Sequence, residues 1–257
     1  MSALDSIIAG VREDLEQRRL PMGKLLEQLE MAPPVRDCLP SLLTEEISII
    51  SEIKRSSPSK GSLAEIVDPA GLAAQYEQAG AAVISVLTER RRFGGSLDDL
   101  DIVRKAVDIP ILRKDFMVSE YQFYEARAHG ADVVLLIVAA LSQNQLDDYY
   151  QLSKELGMKA LVEVHTHDEL ERALEISPEI VGVNSRNLKT LEVDTQAFSQ
   201  LIPQIPSGIA RVAESGISKR DDVVFAHECG ATAILVGEAL VRAQSPSVAI
   251  NELLGRL

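Results

Sequence analysis

The feature that most constrains the fold is a series of eight short apolar runs separated by amphipathic stretches. Each run has four to seven residues, is rich in Val and Ile, and is apolar almost throughout instead of alternating with polar residues. The runs are Ile47–Ile53, Ala82–Leu87, Pro110–Arg113, Val133–Val138, Ala160–Val164, Ile180–Val183, Ile209–Ala213 and Ala233–Val236. Because continuous apolar character is typical of parallel strands covered on both faces, the pattern predicts eight strands of a parallel sheet.

The stretches between these runs have the length and amphipathic character of helices. They are Pro69–Ala79, Leu97–Val107, Glu120–His129, Gln143–Leu156, Asp168–Ile176 and Lys219–Glu228. Three of them end in similar joints, in which Gly80, Gly130 and Gly230 precede the next apolar run. Glycine suits the left-handed conformation that ends a helix. The spacings of 50 and 100 residues match two and four βα units of ~25 residues, which favours a repeated βα fold.

Eight strands alternating with helices predict an α/β fold, a (β/α)8 TIM barrel, which typically needs ~250 residues. The chain has 257 residues. An open doubly wound sheet is the alternative, but no Gly-x-Gly-x-x-Gly follows the first run and no Walker motif is present. The first ~45 residues precede the first strand and predict an N-terminal helical extension, with helices at Leu4–Leu20 and Leu25–Leu29. No linker divides the rest, so we expect one domain over residues 1–257, with residues 1–45 as the extension.

The charge balance limits the partners that the protein can have. The chain carries 39 acidic and 26 basic residues, a net charge of −13, so nucleic acid and anionic membranes are not expected as partners. No apolar stretch reaches the ~20 residues that cross a bilayer, and the first twenty residues lack a run of signal-peptide type. The two cysteines, Cys38 and Cys229, form no disulfide framework. We therefore expect a cytoplasmic protein.

Polar residues stand at the ends of several otherwise apolar strands, where the active sites of barrels form. They are Glu52, Lys54, Lys114, Glu163, Asn184, Arg186, Glu214, Ser215 and Glu238. Alternation along a strand places Glu52 and Lys54 on one face. If that face is the lumen, the two charges must pair or bind a ligand, because burying either one alone is costly. Surface salt bridges are the alternative, but five strands with the same pattern favour a shared pocket.

Two strand ends carry glycines that suit a phosphate site. Ser215-Gly216 ends the seventh strand and Gly237-Glu238 ends the eighth, each before a predicted helix. In barrels this region often binds phosphate through backbone N–H groups, and glycine lets the backbone approach closely. For each glycine taken alone, a structural role in a turn or at the end of a helix is an equally open interpretation.

The loop after the second strand, residues 88–96, contains three arginines, Phe93 and two glycines. The arginines could attract an anionic substrate, although a solvated charged turn is the favoured interpretation. Phe93 could cover an aromatic ring, and the glycines would let the loop move as a lid.

His165 and His167 alternate and could face one side of the fifth strand's exit. A metal site would need a third ligand, and Glu163 shares their parity. We nevertheless expect no metal there, because Lys54 and Lys114 would compete with a cation.

Five segments together resemble the indole-3-glycerol phosphate synthase family. They are residues 52–61 (EIKRSSPSKG), 110–116 (PILRKDF), 161–164 (LVEV), 183–188 (VNSRNL) and 212–217 (VAESGI). The resemblance extends over about residues 47–257, and the helical extension also fits. It implies a lyase of tryptophan biosynthesis that closes the ring of 1-(2-carboxyphenylamino)-1-deoxyribulose 5-phosphate, with loss of CO2 and water, to give indole-3-glycerol phosphate. It implies a small phosphorylated substrate and no cofactor; we expect a monomer or weak homo-oligomer.

The resemblance also implies roles for the residues at the strand ends. Lys114 would be the general acid at the ketone. Lys54 would hold an anionic group of the substrate or act as acid in the dehydration. Which lysine acts as the acid in which step stays open. Glu163 would be the general base. Glu52 and Asn184 would position these groups.

The remaining site residues would bind the substrate. Glu214 and Ser215 would fix the sugar hydroxyls and orient Lys114. Carboxylate or phosphate would be bound by Ser57, Arg186, Gly216, Gly237 and the backbone of Glu238, and the aromatic ring would be covered by Phe93 and Leu188.

The sequence departs from the family pattern at Gly94 and Ser185, where relatives often have an amide side chain. Three other functions stay open. A phosphoribosylanthranilate isomerase would need a cysteine on the first strand, whereas Cys38 precedes it. A Schiff-base aldolase would use a lysine as nucleophile. A non-catalytic barrel would bind a phosphorylated ligand without turnover.

Overall fold

The computed structural model describes residues 2–188 and 190–256. Eight parallel strands form a closed barrel in the order β1-β8-β7-β6-β5-β4-β3-β2. The strands are β1 (Ser48–Ile53), β2 (Val83–Leu87), β3 (Ile111–Lys114), β4 (Val133–Ile137), β5 (Lys159–Val164), β6 (Ile180–Asn184), β7 (Ala210–Glu214) and β8 (Ala233–Val236). The predicted TIM barrel is therefore confirmed.

Helices surround the barrel and precede it. They are α1 (Ala3–Arg18), α2 (Met22–Glu30), α3 (Leu39–Leu42), α4 (Pro69–Gln78), α5 (Leu97–Ala106), α6 (Glu120–Ala128), α7 (Gln143–Glu155), α8 (His167–Glu175), α9 (Gln196–Leu201), α10 (Arg220–Glu228), α11 (Glu238–Arg242) and α12 (Pro246–Leu254). Gly80, Gly130 and Gly230 follow α4, α6 and α10 with φ of 89°, 80° and 99°. These three glycines thus end helices in the left-handed conformation, as their repeated joints predicted.

The strands are buried on both faces, which explains their unbroken apolar sequence. In β1, Ile49 and Ile53 pack outwards in the cluster beneath the helices, whereas Ile50 faces the lumen cluster. The same alternation sends Glu52 inwards at the carboxyl end of the strand. The inward placement of the charged strand ends is therefore set by the position of the apolar residues before them.

The segment before β1 contacts both ends of the barrel. Cys38 and Leu42 line a small apolar cavity at the amino ends of the strands. Leu4 and Ile7 of α1 reach the cavity at the opposite, carboxyl ends. Burying these side chains supplies the apolar contacts that hold the extension on the barrel.

The arginines after β2 attach the extension to the barrel. Arg91 donates hydrogen bonds to Glu13 at 2.7 Å and to Asp14 at 2.9 and 2.7 Å, and Arg92 donates to Ser6 Oγ at 3.1 Å. Arg91 is thus held by two carboxylates of α1, which differs from the solvated turn that the sequence favoured.

In the described residues no helix is long and apolar enough to cross a membrane.

Candidate active site

A cavity at the carboxyl ends of the strands brings together most of the predicted site residues. Eleven of the fourteen line it: Glu52, Lys54, Ser57, Phe93, Lys114, Glu163, Asn184, Arg186, Leu188, Glu214 and Ser215. The other three, Gly216, Gly237 and Glu238, are not among its lining residues. Gly216 follows the lining residue Ser215, and Gly237 and Glu238 follow the end of β8. All eight strands contribute lining residues, so these side chains meet because the barrel is closed.

Lys114 at the end of β3 lies between two buried carboxylates. Its Nζ donates to Glu163 Oε2 at 2.8 Å and to Glu214 Oε2 at 2.6 Å. Glu163 comes from β5, two strands away in the barrel, and Glu214 comes from β7 on the opposite wall. An ammonium group has three donors, so a third N–H stays available for a bound molecule.

The three charges shift each other's proton affinity. Burial alone would lower the pKa of Lys114, but Glu163, Glu214 and Glu52 outweigh it and raise that pKa. Burial raises the pKa of Glu214 to about 7, since the repulsion from Glu163 adds to burial while Lys114 opposes it. The pKa of Glu163 is lowered despite burial, because Lys114 and His165 favour its charged form. Near neutral pH the site thus holds one firmly ionised carboxylate and one that exchanges a proton.

Lys54 forms a second ion pair beside the first. Its Nζ lies 3.3 Å from Glu52 Oε1 and 5.8 Å from the centre of the Phe93 ring. Phe93 in turn packs against Phe116, with 6.2 Å between ring centres. A cation beside an aromatic ring, which itself packs on a second ring, suits a planar, anionic aromatic group.

The rim of the cavity is polar on one side. Arg186 donates to Ser59 Oγ at 3.2 Å and to the Leu191 carbonyl oxygen at 3.0 Å, so β6 and the β1 loop meet there. Ser57 and Leu188 complete this side. The arginine keeps donors for an anion next to an apolar surface.

The ends of β7 and β8 differ in how they use glycine. Ser215 and Gly216 have φ of 67° and 74°, and a Cβ on Gly216 would lie 2.7 Å from Thr195 Cγ2. A Cβ on Gly237 would lie 2.6 Å from Glu52 Oε1. Gly237 therefore leaves room for the carboxylate of Glu52. From the sequence, this glycine was explained by the approach of a phosphate, and this second reason was not foreseen.

The expectation that His165 and His167 face one side is wrong. β5 ends at Val164 and α8 begins at His167, so strand alternation stops between them. The His165 side chain is 8% exposed and faces Glu163, whereas His167 is 57% exposed beside Glu171. Within residues 2–188 and 190–256, no group of three His, Cys, Asp or Glu side chains could hold a metal ion.

Sequence reasoning missed Gly182, which lies inside β6. A Cβ at this position would collide with Glu214 Oε1. The signal that could have identified it is a glycine inside a strand, which often marks a close approach of another group.

We expect Gly182→Ala to displace the Glu214 carboxylate and lower kcat about tenfold, because small displacements of catalytic groups are costly. Steady-state kinetics checks this expectation. Gly23→Ala is the matched control, since no atom lies within 4 Å of a Cβ there. Equal kcat in the two variants would show that this close approach is unimportant.

Cavity size alone would misplace the site. A cavity of about 570 Å³ lies between α1, α2 and the loop after β2, against about 100 Å³ for the cavity at the strand ends. Lys54, Lys114 and Glu163 line only the smaller one. The chemistry, not the volume, identifies the functional site.

A closed parallel barrel with paired ammonium and carboxylate groups at its strand ends defines an enzyme of the TIM-barrel class. The family model for indole-3-glycerol phosphate synthase matches residues 4–253. The chain belongs to the indole-3-glycerol phosphate synthase family, and so to the carboxy-lyases of tryptophan biosynthesis.

Curated relatives extend over almost the whole chain. Indole-3-glycerol phosphate synthase 1 of Streptomyces coelicolor is 54% identical over 255 residues, covering 98% of this chain and 95% of the relative. The synthase of Mycolicibacterium vanbaalenii is 52% identical over 254 residues, covering 98% and 93%. Identity at this level over almost the whole chain favours the synthase family over the isomerase and the aldolase, the two alternative enzymes that the sequence left open.

Solved structures of similar shape support the fold alone. A 3-hexulose-6-phosphate synthase gives a TM-score of 0.65 at 18% identity, covering 82% of this chain and 100% of its own. A thiamine phosphate pyrophosphorylase from Pyrococcus furiosus gives 0.60 at 16% identity, covering 84% and 95%.

Proposed function

We propose that the cavity around Lys114 closes the indole ring of 1-(2-carboxyphenylamino)-1-deoxyribulose 5-phosphate, with Lys114 as general acid and Glu163 as general base. The observation that supports this most strongly is the ammonium of Lys114 between Glu163 and Glu214 at the carboxyl ends of β3, β5 and β7. Acid and base thus lie within one hydrogen bond of each other in a largely buried site, where charge stabilisation is most effective.

Ring closure requires the aromatic carbon that bears the carboxylate to attack the ketone carbon. The third N–H of Lys114 would donate to the ketone oxygen and protonate it as the new carbon–carbon bond forms. Loss of CO2 then returns the electron pair of the broken carbon–carbon bond to the ring. Holding the attacking carbon near the ketone is the task of the groups that bind either end of the substrate.

Dehydration requires a proton to leave the substrate and a hydroxyl to depart as water. Glu163 is an ionised carboxylate near neutral pH and would accept the proton. A lysine would protonate the departing hydroxyl, and Lys54 and Lys114 both lie in the cavity. Glu52, at 3.3 Å, would orient Lys54.

The two ends of the substrate would bind on different sides of the cavity. Lys54 would hold the carboxylate of the aromatic ring, which Phe93 and Leu188 would cover. Ser57, Arg186 and the backbone at Gly216, Gly237 and Glu238 would bind phosphate. Asn184, Glu214 and Ser215 would contact the sugar hydroxyls.

We expect Gly237→Val to raise KM about tenfold or more, because it blocks a charge-assisted contact with the phosphate. The valine would also press on Glu52, which lies 2.6 Å from the position of a Cβ, so kcat falls as well. Gly23→Val, in an open position of α2, is the control for the size change. An unchanged KM in Gly237→Val would contradict the phosphate assignment.

The reaction can be followed by the fluorescence of its indole product. The chain contains no Trp, so the protein adds no indole signal of its own. Purified protein and substrate should give a steady rise in fluorescence, and borohydride should trap no covalent adduct. No rise would contradict the proposed function, while a trapped lysine adduct would indicate a Schiff-base mechanism.

We propose further that the protein acts in the cytoplasm as a monomer or weak homo-oligomer. Its two cysteines are free, which suits a reducing compartment. Light scattering at micromolar concentration should give the mass of one chain, and a stable higher mass would contradict the monomer.

A further inference from the structure

His165 occupies a buried position directly behind a carboxylate of the active site. Its Nε2 lies 3.3 Å from Glu163 Oε1, and its Nδ1 lies 3.1 Å from Glu169 Oε2. The backbone N–H of His165 donates to the same oxygen of Glu169 at 2.8 Å. The imidazole therefore bridges β5 to α8.

Glu163 is held from two sides. Lys114 contacts its Oε2 at 2.8 Å, and His165 faces its Oε1. Within the described residues, the wall of the cavity includes Glu163 and Lys114 but not His165. Whatever His165 does in the reaction, it does through Glu163 and not by touching the substrate.

A ring between two carboxylates favours a proton on both nitrogens. Nδ1 can donate to Glu169, whereas Nε2 lies at ion-pair distance from Glu163 and makes no hydrogen bond to any described residue. Burial by itself lowers the pKa of His165, but Glu163 and Glu169 outweigh burial and raise it to about 9 from an ordinary 6.5. These carboxylates of β5 and α8 are the charged groups that face the ring. Lys114 of β3 and Glu214 of β7 act on Glu163 next to it.

We propose that His165 is a cationic positioning residue that fixes the orientation of Glu163 and keeps it ionised. This inference rests on the proposed role of Glu163 as general base. Lys114 must give up a proton in the reaction, and the attraction that it exerts on Glu163 then disappears. A second cation that takes no part in the proton transfer keeps Glu163 charged and in place through that step.

The sign of the pH dependence follows from the raised pKa. The ring stays charged until the pH approaches about 9, and the stability that its charge contributes is complete below about pH 6.5 and lost as the pH rises through about 9. Near neutral pH the bridge is therefore intact. Removing the cation by mutation should raise the pKa of the carboxylates beside Lys114, because an opposite charge within ~4–6 Å lowers such a pKa by 1–3 units.

We expect His165→Asn to lower kcat about tenfold with a small change in KM, as for loss of a supporting partner. The acid limb of the kcat/KM profile should move up by about one pH unit. His167→Asn is the matched control, because this exposed histidine pairs with Glu171 at the surface, and its profile should coincide with that of the unaltered protein. A loss of kcat with an unmoved acid limb would overturn the proposal and leave a merely structural role.

A second measurement does not depend on catalytic activity, and its first part needs no variant. The chain has four histidines, so imidazole signals can be followed by NMR through a pH titration of the unaltered protein. One ring should titrate near pH 9, and its midpoint should fall in Glu163→Gln and in Glu169→Gln. Four rings titrating near 6.5 would overturn the proposal even if Glu163→Gln is inactive. Full activity of Glu163→Gln would instead contradict the proposed base, whatever the titration gives.

Discussion

Lys114→Ala should lower kcat by at least ~10²-fold, the usual effect of removing a general acid. The variant loses the donor for the ketone oxygen. It also leaves Glu163 and Glu214 side by side without their shared cation, so one of them takes up a proton and the base is weakened too. Both losses act on kcat because both groups act on the reacting atoms.

The measurement for Lys114→Ala is the initial rate of indole fluorescence at saturating substrate, with circular dichroism to show that the barrel is folded. Lys105→Ala is the control, since this lysine lies exposed in the last turn of α5, which leads to the amino end of β3 and not to the carboxyl ends of the strands. It should retain the full rate. Turnover of Lys114→Ala near that of the unaltered protein would remove Lys114 from the mechanism.

Glu163→Gln should also lower kcat by ~10²-fold or more, while KM changes only a few-fold. The amide has nearly the shape of the carboxylate and can still accept a hydrogen bond from Lys114, but it cannot take up the substrate proton. Loss of the Glu163 charge also lowers the pKa of Lys114, because that charge helps to raise it. The separation of kcat from KM distinguishes a chemical role from a role in binding.

The control for Glu163→Gln is Glu171→Gln, the same change at an exposed position of α8. Both variants remove one negative charge, so a general effect of net charge would appear in each. A full rate for Glu163→Gln, or an equal loss in Glu171→Gln, would contradict the assignment of the base.

The strands could be predicted because they are short, buried on both faces and bounded by polar residues. Each predicted run agrees with the observed strand to within one residue at either end, and Ala233–Val236 agrees at both. The short helices α3 and α9 were not predicted. Four or six residues make barely one or two turns, which is too little for a helical period to stand out.

The composition of the site could be predicted from the ends of the strands, but not all of its contacts. Parallel strands in a closed barrel must bring Lys114, Glu163 and Glu214 to one rim, so their meeting follows from the fold. The role of Gly182 depends on a side chain from the neighbouring strand. The orientation of His165 depends on where β5 gives way to α8, and alternation cannot be extended beyond that point.

The contribution of α1 could not be predicted either. The apolar face of α1 indicates that it packs against something, but not that Leu4 and Ile7 reach the cavity. Long-range contacts such as that of Arg91 with Asp14 join segments far apart in sequence, and single-sequence patterns carry no information about such pairs.

The most direct test is a crystal structure with the substrate whose ketone has been reduced to an alcohol, a stable compound of the same shape. The distance between Lys114 Nζ and the oxygen on the former ketone carbon is the quantity to measure. We predict about 3 Å, a hydrogen bond, with the phosphate against the backbone at Gly216 and Gly237. A ligand seated with that oxygen remote from Lys114, or bound in the larger cavity beneath α1 and α2, would contradict the proposed site.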